Sequence, residues 1–145
     1  MKRKILASII SIFIAVPLFA NDLALETVGA MGGSNIYLTY LSIGIIADCY
    51  GNGIYEKEQT ISLISSIEGQ AKVQKDYLDK WSKSKETSAD DKAFIKRMIG
   101  CYNLLLEEAK YLKEYANTKK DSAVKNFDAK RQQAWKDISE LLGLN

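Results

Sequence analysis

The chain has no histidine, a single proline and two cysteines among its 145 residues. Without histidine, His-ligated metal sites and His-based catalytic triads are excluded. Two cysteines cannot build a disulfide scaffold. Charge of one sign is missing too, since 20 Lys and Arg stand against 18 Asp and Glu, a formal net charge of +2. Hydrophobic residues make up 47% of the chain. That fraction excludes intrinsic disorder, and the length supports one domain with one core.

The proline, Pro17, lies in an N-terminal stretch that reads as an address. Lys2, Arg3 and Lys4 precede an uncharged run from Ile5 to Phe19, and Ala20 stands before the polar pair Asn21 and Asp22. This is the three-part pattern of a secretory signal peptide, with cleavage predicted after Ala20. The run is shorter than the ~20 residues that a membrane-spanning helix needs. The expected organisation is therefore a signal peptide over 1–20 and one domain over 21–145, in a periplasmic or secreted protein. Cleavage removes three basic residues and no acid, leaving 17 Lys and Arg against 18 Asp and Glu, a net charge of −1. A nearly neutral chain with interspersed charges has no basic face for phosphate, which argues against a nucleic-acid partner.

Helical periodicity runs through the remainder. Ile61, Ile64, Ile67, Ala71, Leu78 and Trp81 recur at helical spacing over 59–83. Phe94, Met98, Tyr102, Leu105, Ala109, Leu112 and Ala116 do so over 89–117, and Val124, Phe127, Arg131, Ala134, Trp135, Ile138, Leu141 and Leu142 over 122–142. Gly51-Asn52-Gly53 ends the first segment, Thr87 or Ser88 is the N-cap candidate of the third, Thr118 or Asp121 that of the fourth, and Gly143 the final C-cap. Short connections between such helices predict an all-α, antiparallel up-down-up-down four-helix bundle.

The first segment holds 21 uncharged residues, Thr27 to Ala47. That length meets the count for a membrane span. Gly29, Gly32, Gly33, Ser34 and Asn35, with acids rather than bases at the ends, favour a buried central helix instead, and insertion through 27–47 is the alternative. Contact with a membrane is thus the less favoured reading.

Export makes a Cys49–Cys101 disulfide the first expectation. In an up-down bundle the two would be separated by ~20 Å along the axis, against a Cα–Cα reach below ~7 Å, so two unpaired thiols are expected.

Most charges belong to solvated faces, but Arg131 falls on the stripe of the fourth helix between Phe127 and Trp135. If the third and fourth helices turn around between Asn117 and Ser122, Arg131 faces Glu107 or Glu108, with Tyr40 and Glu68 at the same height. An arginine there needs a carboxylate partner. The layer is either a structural salt bridge or a polar pocket between helices. Asp48 is a further candidate, an acid that ends an apolar run where the helix dipole disfavours it. The eight tyrosines, with Tyr37 and Tyr40 and also Tyr111 and Tyr115 sharing helix faces, suit a core or a protein interface.

The chain lacks a haem-attachment motif, a nucleophile elbow and a phosphate loop. No catalytic residue, metal or cofactor is expected. The sequence reads as a non-catalytic exported bundle that binds an envelope protein or a small ligand, with an enzyme built on the Arg/Glu layer as the remotest alternative. Oligomeric state is not legible at this level.

Overall fold

The computed structural model describes residues 2–144, without the side chains of residues 2–22, 24 and 25. The signal-peptide assignment of residues 1–20 lies outside the described side chains. The described residues form four α-helices and no strand: α1 Lys2–Gly51, α2 Lys57–Ser82, α3 Ala89–Thr118 and α4 Asp121–Leu142. The chain divides into two units, Met1–Gly32 and Gly33–Asn145. In the first, Leu23, Val28 and Met31 are exposed, and the Thr27 hydroxyl donates to the Leu23 carbonyl at 2.7 Å.

The second unit holds the core. Helix α3 packs against both α2 and α4, so it needs apolar residues over a wider arc than a single stripe. Ten of its residues are buried, against four each on α2 and α4. On one side the Tyr102 hydroxyl donates to Oε1 of Gln74 on α2, and on the other Glu108 meets Arg131 on α4. From α1, Ile36, Ile43 and Ile46 enter the same core, and the Tyr50 hydroxyl donates to the Ala116 carbonyl at 3.1 Å. Fully burying a side chain of this size contributes roughly 1.5–3 kcal/mol.

The uncharged segment is therefore not a central helix buried all round. One face of α1 is buried, while Leu38 and Ile45 are 57% and 59% exposed on the other. Absence of charge marks both faces as neutral, and packing covers only one of them. Among the described residues, which include this segment, no helix is long and apolar enough to cross a membrane. Its glycines, serines and threonines dilute the hydropathy.

The helix ends follow local chemistry. Gly53 turns the chain with φ 70°, while Asn52 donates to the Asp48 carbonyl from its backbone N–H (3.0 Å) and its side-chain amide (2.8 Å). Ser88 caps α3, its hydroxyl accepting the Asp91 N–H at 3.1 Å. Helix α4 departs from expectation: its N-cap is Lys120, with no side-chain cap, and Thr118 instead accepts the Lys120 N–H at 3.3 Å. Gly143 ends α4 with φ 65°.

Candidate functional site

Arg131 reaches from α4 toward α3 and α1 at once. Its Nη1 donates to Oε1 of Glu108 at 2.8 Å and lies 3.3 Å from the Tyr40 carbonyl oxygen, while the guanidinium sits 4.2 Å from the centroid of the Tyr40 ring. The planar, weakly hydrated guanidinium suits this setting, because it can satisfy a carboxylate at its edge and stack an aromatic ring on its face.

Room for it comes from Gly44, one turn along α1 from Tyr40. A Cβ at Gly44 would lie 2.2 Å from Arg131 Nη2 and 2.6 Å from its Cζ. No earlier signal singled out Gly44. An isolated glycine inside a helix costs about 1 kcal/mol relative to alanine, and that cost was the available pointer to a packing role.

Glu108 is 0% exposed, and its second oxygen, Oε2, has no hydrogen-bond partner among the described residues. Burial pushes the carboxyl up to about 7, against the hydrogen bond and charge of Arg131, which pull it down. Burial also raises the Tyr40 hydroxyl, with Arg131 again acting in the opposite direction.

Outside this layer lies an aromatic edge. Trp135 stacks on Tyr40 with ring centroids 5.6 Å apart and meets Tyr37 at 6.4 Å. Its place on the apolar stripe of α4 predicts burial, yet the side chain is 42% exposed, because it lies over the α1–α4 seam. Arg131 thus forms the back of a surface whose front is Tyr37, Tyr40 and Trp135.

The other candidates lie elsewhere. Glu107 pairs with Lys130 at 2.6 Å, Glu68 pairs with Lys113, and both acids line an open groove between α2 and α3. The two glutamates next to one another in sequence point about 100° apart on the helix, so only Glu108 turns inward. Asp48 is exposed at the rim of a hollow of about 220 Å³, with Leu112, Tyr115, Phe127 and Asp128 among its walls. Tyr115 packs edge-on to Tyr50 at 5.8 Å. Cys49 is half-buried and Cys101 buried, and both thiols are free; burial pushes that of Cys101 up to about 11. Among the described residues, no group of three or more acidic or cysteine side chains is placed to hold a metal ion.

Comparison with protein-family models, curated proteins and solved structures finds no match. The functional reading therefore rests on the geometry of this chain.

Proposed function

We propose that this protein is an exported, non-catalytic four-helix bundle that acts by binding a protein partner at the α1–α4 aromatic edge. In this reading residues 1–20 are a signal peptide removed after Ala20, and 21–145 form an antiparallel up-down-up-down bundle in the periplasm or outside the cell. The antiparallel arrangement is supported by pairs in which one number rises as the other falls: Gln74–Tyr102 and Glu68–Lys113, then Tyr40–Arg131 and Tyr37–Trp135.

The observation that carries the reading is the division of labour around Tyr40. On its inner side the arginine pairs with the buried carboxylate through one hydrogen bond, which is the arrangement of a structural layer. On its outer side a tryptophan and two tyrosines form a surface of the residue types that dominate protein interfaces. A carboxyl with no exposure is poorly placed for acid–base work on a substrate. A small ligand is the second reading, favoured by the hollow beside Asp48 and Asp128, which suits a compact organic cation.

Affinity capture from the native envelope tests the proposal, with the mature chain and its Trp135→Ala variant as parallel baits. A protein retained by the first and lost from the second is expected. Identical captures from both baits count against it. N-terminal sequencing of the exported protein should begin at Asn21.

A further inference from the structure

Bundle helices normally turn charged residues to solvent. The outer face of α1 does not. Between Gly33 and Ala47 no residue is charged, and the solvent side carries Leu38, Ile45 and the half-buried Leu41. Leu38 and Ile45 are seven residues apart, so they lie on one side of the helix, with Leu41 beside both. Tyr37, one turn before Leu41, continues this apolar surface to Trp135.

We propose that α1 pairs with α1 of a second copy of this chain through Leu38, Leu41 and Ile45, a proposal that rests on the protein-binding reading of the α1–α4 edge and names its partner. The charge pattern selects this occupant. The outer faces of α3 and α4 carry exposed Lys96, Lys110, Lys125 and Lys136, and α2 flanks its exposed Val73 and Tyr77 with Lys72, Asp76 and Lys80, charges that would lose hydration against a neutral face. A second α1 brings no charge to desolvate. Two of its polar groups are provided for as well: the Ser42 hydroxyl donates to the Leu38 carbonyl and that of Thr39 to the Asn35 carbonyl, each at 2.7 Å, so burying these two strands no donor.

The face is self-complementary. A two-fold axis between Leu41 and Ser42 sets Leu38 of one copy against Ile45 of the other, twice, in the isologous contact of a closed dimer. About fifteen residues of helix at 1.5 Å each, over two helix widths, give a footprint of ~450 Å² per copy. The total of ~900 Å² lies below the roughly 1,200 Å² at which specific, stable interfaces begin, which predicts a weak, reversible dimer.

Sedimentation equilibrium of the mature chain between about 1 and 300 μM tests the pairing. A monomer–dimer equilibrium is expected, weakened at least tenfold by Leu38→Glu and by Ile45→Glu. Both side chains are exposed, so the variants should keep the circular dichroism spectrum and melting temperature of the parent. In a cysteine-free background, Leu38→Cys with Ile45→Cys should oxidise to a covalent dimer. A chain monomeric throughout the range, or a Leu38→Glu variant that dimerises like the parent, overturns the pairing. So does a monomer that binds phosphatidylglycerol vesicles through Leu38. If the monomer still captures an envelope protein that Trp135→Ala loses, the pairing fails while the protein-binding reading stands.

Discussion

Arg131 gives Glu108 one hydrogen bond, from Nη1 to Oε1 at 2.8 Å, and leaves Oε2 of the same buried carboxyl without a partner among the described residues. The pair is monodentate, and Nη1 also lies against the Tyr40 carbonyl while the Tyr40 ring covers the guanidinium face. Half-satisfied buried carboxylates favour their protonated form.

Stability should therefore depend on pH through Glu108. Its carboxyl moves from an ordinary 4.5 to about 7 on folding. Between those values the folded chain holds more protons than the unfolded one, so this contribution is full below pH 4.5 and is lost as pH rises to 7. The loss is on the order of 3–4 kcal/mol. Glu108→Gln should flatten the profile, matching the parent near pH 4.5 and exceeding its stability at pH 8. Urea unfolding across pH 4.5–8 checks this.

Arg131→Met should cost about 3 kcal/mol at neutral pH, because it strands a buried carboxyl without the cation it pairs with. The double variant Arg131→Met with Glu108→Leu should recover most of that loss, since a buried pair replaced by apolar residues of similar size is often neutral. Chemical denaturation of the parent, the two single variants and the double variant completes the thermodynamic cycle.

Gly44→Ala should destabilise the bundle by roughly 1–3 kcal/mol even though alanine favours helix. The added Cβ takes the space of the Arg131 guanidinium, whose tip cannot swing away without leaving Glu108. Gly69→Ala is the control: nothing lies within 4 Å of its Cβ, and the same exchange there should stabilise. Thermal melts of the two variants should shift in opposite directions.

Ser88→Ala should lower stability by about 1 kcal/mol through loss of the α3 cap. Thr118→Ala should do less, because Thr118 lies outside the cap position of α4. Paired urea titrations separate the two.

The helices were legible because their stripes repeat over many turns, and the Arg131–Glu108 layer was legible because one arginine among apolar neighbours demands a carboxylate. Four features were not. Gly44 carries no side chain to raise a periodic signal, although it admits the guanidinium. Trp135 sits on the stripe of α4 in sequence, but exposure at a helix seam depends on how near the neighbouring helix comes. The charge-free stretch of α1 suggested burial on every side, whereas the number of helices around it decides how many faces are covered. At the start of α4, two good capping residues flanked two lysines, and the turn geometry rather than side-chain preference chose Lys120.

The most direct test of the proposed role is photo-crosslinking from position 135 in living cells, with benzoylphenylalanine in place of Trp135 and a control probe at Tyr77. Both positions are exposed, but only the first lies on the α1–α4 edge. A discrete protein adduct from position 135, whether with another envelope protein or with a second copy of this chain, and none from position 77, is the predicted result. No adduct from position 135, or the same adducts from both positions, would contradict binding at this edge.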